Sequence, residues 1–306
     1  MDLLLRIAPF FALIAAGAVA GRFGLLNARR GGWLSAYTFW IGFPALLIRW
    51  LGDAPPPDPA LARALLAYGL TMGVVLAAAP FIGRLLSFRR EACAGLAMTS
   101  GVGNTAFLGA PLAVSIFGPA VRAPAASAVA VDFIALMAAG IAILQTGRPG
   151  GRIGMALRRV FLNPTVAGAA TGLALSALQA RLPVAIDRPL TWLAATASPV
   201  ALVALGGLIG REWSQPERHD AGPLMLTLAL KLLVAPALVW TSLGLVGAPE
   251  AVRASLTLLA ACPTAVNVFI QTRVFDIHAR GAALAVIAGT VISAASLSVL
   301  AHLLGG

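Results

Sequence analysis

The sequence predicts an all-α membrane protein of ten transmembrane helices, arranged as two inverted five-helix repeats in which helices four and nine are broken and cross. Three observations lead to this prediction. The 306 residues are 59% hydrophobic and only 11% charged, whereas soluble domains carry about 25% charged residues. Ten apolar segments are long enough to cross a bilayer, which takes about 20 residues. Related residue patterns also recur in the two halves of the chain.

The ten predicted spans follow one another with short connections rich in turn-forming residues. They cover residues 3–21, 33–51, 61–86, 92–117, 124–146, 162–181, 189–210, 222–244, 252–272 and 280–304. The first contains Ala18-Val19-Ala20, which resembles a signal-peptidase site, but its length and the nearby Asp2 favour a retained helix. The longest connection, residues 147–161, is predicted to be a cytoplasmic linker between a first repeat (residues 1–146) and a second (residues 162–306).

The net charge of +11 comes mainly from arginines that lie between the spans. Of the 21 arginines, 14 fall on one set of connections and 7 on the other. The arginine-rich side is expected to face the cytoplasm, which places the chain in the cell (inner) membrane with both termini outside. A basic chain can also bind nucleic acid, but no basic domain is present. The expected partners are therefore the lipid bilayer and a small molecule, with no nucleic acid.

The sequence lacks the residue patterns of an enzyme or a metalloprotein. Cys93 and Cys262 lie in apolar segments without ligand spacing, and the three histidines are scattered. Nucleophile–base arrangements, phosphate-binding loops and metalloprotease motifs do not occur in the sequence. We therefore expect a protein that is not an enzyme, with no catalytic residue, no metal and no cofactor.

The middle of the fourth span contains residues that do not suit a continuous helix. Asn104, Thr105, Gly109 and Pro111 stand where an ordinary span would be apolar, and glycine and proline are poor helix formers. A helix that opens inside the bilayer is tolerated only where protein or a watery cavity covers its backbone groups. Such an opening indicates a transporter binding site. A proline-kinked helix with a packed asparagine is the alternative.

Matching residues in the two halves predict that the ninth span is broken as well. Ala79-Pro80 recurs as Ala235-Pro236, and five spans per copy require the second copy to be inverted. The ninth span accordingly holds Pro263, Thr264 and Asn267. Two crossed, opened helices would bring together half-helix N-termini, which suit a carboxylate. The predicted substrate-binding residues are Asn104, Thr105, Gly109, Pro111, Lys231, Pro263, Thr264 and Asn267.

Two charged residues, Asp132 in span five and Lys231 in span eight, fall near the middle of the bilayer. At 1.5 Å per residue they lie about 12 and 14 Å from opposite surfaces of a ~30 Å core. An unpaired charge there costs at least ~2.5 kcal/mol. Two interpretations stay open. Either the residues form a structural ion pair, or Lys231 helps to bind an anionic substrate and Asp132 takes part in proton coupling.

These motifs resemble those of the auxin efflux carrier family, in particular its bacterial branch that includes malonate transporters. The resemblance covers nearly the whole chain and is carried by residues 14–17, 42–47, 103–112 and 262–269 and by Lys231 before Pro236. It implies ten helices in two inverted repeats, a crossover of spans four and nine, and a scaffold of spans one, two, six and seven holding a moving domain. Plant relatives carry a second proline about where Val268 stands, so the break point in span nine stays open.

The expected function is a secondary transporter for small organic anions. Mono- or dicarboxylates such as malonate or auxin-like acids are the predicted substrates, and the resemblance implies an elevator-type alternating-access mechanism. The alternative is a sodium-coupled symporter of the bile-acid type, which has the same inverted-repeat plan. That alternative would require acidic residues near the break in span nine, and none lies between Arg253 and Arg273. A homodimer is one arrangement that the sequence leaves open.

Overall fold

A computed structural model describes residues 2–53, 58–147, 164–212 and 221–305 of the chain. Apart from one isolated pair of extended residues, all regular secondary structure in these ranges is helical, which confirms the predicted all-α class. The predicted linker at residues 147–161 lies, apart from Gly147, outside the described residues.

Fifteen α-helices occur in the described ranges. They are α1 (Asp2–Arg22), α2 (Ala28–Tyr37), α3 (Phe43–Gly52), α4 (Pro59–Leu85), α5 (Arg90–Gly101), α6 (Ala110–Phe117), α7 (Arg122–Val131), α8 (Met137–Leu144), α9 (Pro164–Ala177), α10 (Val184–Glu212), α11 (Ala221–Ala229), α12 (Ala235–Leu245), α13 (Glu250–Ala260), α14 (Val266–Val274) and α15 (Ala279–Gly305).

Turns of π-helix join or precede several of these helices. They are Thr38–Gly42, Thr105–Gly109, Asp132–Leu136 and Leu230–Val234. In three cases a proline stands in the first turn of the helix that follows: Pro44, Pro111 and Pro236. Proline has no N–H and its ring collides with the carbonyl group four residues earlier, so a wider turn before it relieves the collision while the helix continues.

Helical runs that could cross a membrane recur along the whole chain. By length and composition, six runs in the described ranges qualify, the longest being residues 119–147 and 184–211. Shorter apolar helices occur at residues 8–22, 105–117 and 166–177. The protein is therefore a multi-pass membrane protein.

The helical run that corresponds to the second predicted span begins at Ala28, five residues before the predicted start of that span, because Asn27 caps α2. The Oδ1 atom of Asn27 accepts a hydrogen bond from the N–H group of Arg30 at 3.0 Å, as expected for an N-cap residue.

The chain forms two compact units, each built from both halves of the sequence. The first comprises Met1–Pro57, Ala106–Ala130 and Leu162–Glu217, and the second comprises Asp58–Thr105, Val131–Phe161 and Arg218–Gly306. The compact units therefore do not coincide with the two predicted sequence repeats. That the second repeat is an inverted copy of the first stays a prediction.

Glycines allow α1 and α10 to pack with their backbones in contact in the first unit. A methyl group added to Gly206 would collide with the carbonyl oxygen of Ile14, and one added to Gly210 would collide with that of Ala18. Small residues at such crossings let membrane helices approach closely. At one end of the unit, the Arg49 guanidinium forms salt bridges with Asp53 and Asp187.

In the second unit, long helices surround a core of fully buried side chains that includes Tyr68, Leu76, Leu96 and Met98. Helix α4 packs along α5 and also contacts α12 and α13. The Thr99 and Thr227 hydroxyl groups, 2.8 Å apart, form a hydrogen bond between α5 and α11. The interrupted helices α5 and α13 therefore lie within a packed environment.

We expect Gly206→Ala to destabilise the protein by about 1–3 kcal/mol, since the added methyl group forces two helix backbones apart. Gly32→Ala is the matched control, because Gly32 lies in α2 with nothing within 4 Å of an added methyl group. The control should be neutral or stabilising by up to about 1 kcal/mol. Thermal unfolding of both variants in detergent checks this, and an equal melting temperature for the two would contradict the close packing.

Candidate functional site

The chain leaves the helical conformation at both stretches where the sequence predicts an interruption. Helix α5 ends at Gly101, and Val102 is extended, with φ −110° and ψ 109°. Helix α13 ends at Ala260, and α14 begins only at Val266. Between them Pro263 has no N–H to continue the preceding helix. Val268 lies in α14, so the break in the ninth span is confined to residues 261–265.

The two opened segments pair with each other within the second unit. The N–H group of Asn104 donates to the carbonyl oxygen of Pro263 at 2.7 Å, and that of Ala265 donates to Val102 at 3.2 Å. Gly103 and Thr264 face each other as an antiparallel bridge. Because unpaired backbone groups in hydrocarbon cost several kcal/mol each, this pairing is what makes the two openings possible together.

The helix ends that point at the crossing are closed by two side chains. The Thr264 hydroxyl donates to the carbonyl oxygen of Thr99, near the end of α5, at 2.7 Å. The Lys231 ammonium donates to the carbonyl oxygen of Ala260, the last residue of α13, also at 2.7 Å. A cation is favoured at a helix C-terminus.

Gly103 provides the room that the Lys231 ammonium occupies. A methyl group added to Gly103 would lie 2.8 Å from the Lys231 Nζ atom. Lys231 is only 1% exposed, so its side chain has little freedom to move away. A residue without a side chain is therefore required at position 103 if the ammonium is to reach the end of α13.

Asn104 is a buried amide without a partner. It is 1% exposed, and neither its Nδ2 nor its Oδ1 atom has a hydrogen-bond partner in the described part of the chain. Most buried polar side chains are hydrogen-bonded, because an unsatisfied group costs about 1–3 kcal/mol. Asn104 therefore presents donor and acceptor capacity that the described residues do not use.

Helix α14 begins three residues after Pro263, the backbone partner of Asn104. No side chain caps its N-terminus at Ala265. Asn267, 8% exposed, is the second residue of this helix. A helix N-terminus carries about half a positive charge and free N–H groups, so this end of α14 and the Asn104 amide together suit a negatively charged group.

Asp132 lies in a second polar cluster of the same unit. It is 2% exposed, and its two carboxyl oxygens accept hydrogen bonds from the Tyr68 hydroxyl at 3.0 and 3.1 Å. Thr105 and Lys231 lie near this carboxyl group, but the buried Thr105 hydroxyl makes no hydrogen bond within the described residues. Among the salt bridges of the described residues, however, none within 4.0 Å joins Asp132 to Lys231.

The structure separates the predicted site residues into two groups. Asn104, Thr105, Lys231, Pro263, Thr264 and Asn267 all belong to the second unit, as does Asp132. Gly109 and Pro111 belong to the first unit. They also follow the break: Gly109 ends a π-helical turn with ordinary helical angles, and Pro111 stands in the first turn of α6.

Sequence reasoning missed Tyr68. The fully buried hydroxyl of Tyr68 is the hydrogen-bond donor to Asp132. The available signal was weak: the chain has only two tyrosines, and this one stands alone in an apolar span.

We expect Thr264→Val to lower the stability of the protein by about 1–2 kcal/mol, because the buried carbonyl oxygen of Thr99 loses its donor. Thr264→Ser keeps the hydroxyl and should retain most of the stability. Melting temperatures in detergent separate the two variants. If valine and serine behave alike, the hydroxyl does not hold the crossing together.

Two comparisons with known proteins cover nearly the whole chain. The family model described as "Membrane transport protein" matches residues 3–148 and 152–301. A protein of Rhizobium meliloti (strain 1021) named "Putative malonate transporter" is 26% identical over 308 residues, which cover 97% of this chain and 94% of that protein.

Proposed function

Because the chain belongs to the membrane transport protein family, the auxin efflux carriers, we propose that it is a secondary transporter that carries small organic anions across the cell membrane by an elevator-type alternating-access mechanism. The protein is a membrane transporter and not an enzyme. Mono- and dicarboxylates are the proposed substrate class. Malonate is the first candidate, since the similar protein of Rhizobium meliloti is named as a malonate transporter.

The observation that carries this proposal is the unpaired amide of Asn104 on opened backbone. A structural asparagine at 1% exposure would be hydrogen-bonded within the protein, whereas both amide atoms of Asn104 are unsatisfied. A carboxylate accepts hydrogen bonds from N–H groups and is stabilised by the positive end of a helix. We assign the substrate carboxylate to the Asn104 amide and the N-terminus of α14, with Asn267 as a further donor.

The Lys231 ammonium adds positive potential to this site. It lies against Gly103, the neighbour of Asn104 in the opened segment, and it is fully buried. Its hydrogen bond to Ala260 uses one of the three donors of an ammonium group. Buried positive charge attracts an anion more strongly than charge in water does.

Helices α5 and α13 support the proposed inverted repeat. Glu91 is the second residue of α5 and Glu250 the first of α13, and each helix ends ten residues after its glutamate, at Gly101 and Ala260. Non-helical backbone follows in both cases, and it includes the bridged residues Gly103 and Thr264. The site described here also lies wholly within one compact unit, as an elevator mechanism requires of the part that carries the substrate.

The inner-membrane location, the outside termini and the homodimer remain predictions of the same proposal.

The first test removes the Asn104 amide. Asn104→Leu should weaken carboxylate binding by about 10- to 100-fold, the loss expected for hydrogen bonds to a charged group. It should leave the melting temperature unchanged or higher, because it also removes an unsatisfied polar group. Uptake of labelled malonate into proteoliposomes and ligand-induced thermal shifts measure both quantities.

Ser296→Ala is the control for this test. It removes a buried hydroxyl that has no partner among the described residues and lies outside the opened segments, so this variant should transport normally. Undiminished transport by Asn104→Leu, or a lowered melting temperature with transport intact, would reject the assigned site.

A second test addresses Lys231. Lys231→Met keeps the length of the side chain and removes the charge, so malonate affinity should fall at least tenfold, beyond any loss of stability from the uncapped Ala260 carbonyl. Arg63→Gln removes an exposed charge from α4 and should change neither the malonate affinity nor the stability. Titrations by thermal shift compare the variants. Equal affinity in Lys231→Met and wild type would show that the ammonium serves only the end of α13.

A further inference from the structure

The Asp132 carboxyl group accepts fewer hydrogen bonds than a buried, permanently charged carboxylate would be expected to accept. A carboxylate offers about four acceptor positions, but the two hydrogen bonds to Asp132 come from one hydroxyl of Tyr68, whose single proton is shared between the two oxygens. Thr105 is another polar neighbour of the carboxyl group, but its hydroxyl makes no hydrogen bond within the described residues. A charge buried to this degree in a membrane protein normally has a counterion in contact.

The natural counterion, Lys231, is close enough to act on Asp132 but is bonded elsewhere. The Lys231 ammonium donates to the carbonyl oxygen of Ala260, and no salt bridge within 4.0 Å joins it to Asp132 among the described residues. A purely structural ion pair would place the two groups in contact. The separation leaves Asp132 able to exist with or without a proton.

Among the described residues, three ionisable groups interact electrostatically with this carboxyl group, from three different elements. They are Tyr68 on α4, Lys231 in the π-helical turn before α12, and Cys262 in the segment after α13. Tyrosine and cysteine side chains are ordinarily uncharged at neutral pH. Asp132 and Lys231 are therefore the opposing charges of this cluster.

These two charges bracket the proposed anion site. Lys231 lies against Gly103, and Asp132 lies beside Thr105. Asn104 is the residue between them in the opened segment. An anion held by the Asn104 amide is thus within the electrostatic field of both groups, and its arrival changes their charge balance.

We propose that Asp132, held by Tyr68, is a proton-binding site coupled to the anion site, so that one proton travels with each anion. The inference rests on the proposed function. In the empty site, the Asp132 carboxylate balances the Lys231 ammonium. A bound carboxylate group adds a negative charge beside this pair, and a proton taken from solution by a carboxyl oxygen of Asp132 offsets one negative charge. Anion affinity then rises as the pH falls.

The test measures proton uptake on binding. Malonate is titrated into the full-length protein in lipid nanodiscs by calorimetry, in pairs of buffers with different ionisation enthalpies, between about pH 6.5 and 8.5, where both malonate carboxyl groups stay ionised. The wild type should take up about one proton per malonate, and its Kd should increase about tenfold per pH unit. Asp132→Asn should bind malonate without proton uptake and with a flat pH profile.

Glu250→Gln, which removes an exposed carboxylate from the first turn of α13, is the control and should behave as the wild type. A second measurement covers the case in which Asp132→Asn does not fold. Infrared difference spectra of the wild type should show a protonated carboxyl band on malonate addition, and its absence would overturn the proposal.

The remaining outcomes separate this inference from the proposed function. Malonate binding without proton uptake, with or without a sodium requirement, overturns the proton coupling and leaves the carrier function standing. Proton uptake that persists in Asp132→Asn overturns the assignment to Asp132. A wild type that binds neither malonate nor monocarboxylates overturns the proposed function, and the coupling with it.

Discussion

The pairing of residues 102–104 with residues 263–265 is the interaction on which the rest of the second unit depends. A single opened helix in a bilayer would leave N–H and carbonyl groups without partners, at several kcal/mol each. Two opened segments that lie antiparallel satisfy each other, as the bonds of Asn104 to Pro263 and of Ala265 to Val102 show. Neither interruption is stable alone, so each explains the other.

This pairing sets the requirements on the neighbouring residues. Gly103 must lack a side chain because the Lys231 ammonium passes beside it to reach the end of α13. Thr264 must carry a hydroxyl because the end of α5 presents the carbonyl group of Thr99. Asn104 meets no such structural requirement. Its buried amide costs stability because the described residues offer it no partner, and such a residue is of the kind that function retains.

The two buried charges also follow from the crossing. Lys231 stabilises a helix end that exists only because α13 is interrupted, and Asp132 is held by Tyr68 without contact to Lys231. Their depths, counted along two separate spans, predicted that they lie near the same level. Whether the two charged groups are in contact depends on the orientation of each side chain. Lys231 is oriented towards the carbonyl oxygen of Ala260 and Asp132 towards the hydroxyl of Tyr68.

Part of the site could be predicted from residue type alone. Glycine, proline and amide residues within an apolar span contradict a continuous helix whatever surrounds them, so both interruptions were visible in the sequence. The limits of the opening were not, because Gly109 and Pro111 are equally unfavourable in a helix interior. A π-helical turn accommodates them, and the extended backbone is confined to residues before Thr105.

Local residue patterns specify the all-helical membrane class, the family resemblance and the presence of two interruptions, because hydropathy and backbone preference are properties of local segments. Tertiary structure alone decided that the two openings pair and that Tyr68 serves Asp132. It also decided that Lys231 donates a hydrogen bond to a helix end, and that the Asn104 amide has no partner in the part of the chain that the structure describes. Those outcomes depend on contacts between residues at least 29 positions apart, which no local pattern specifies.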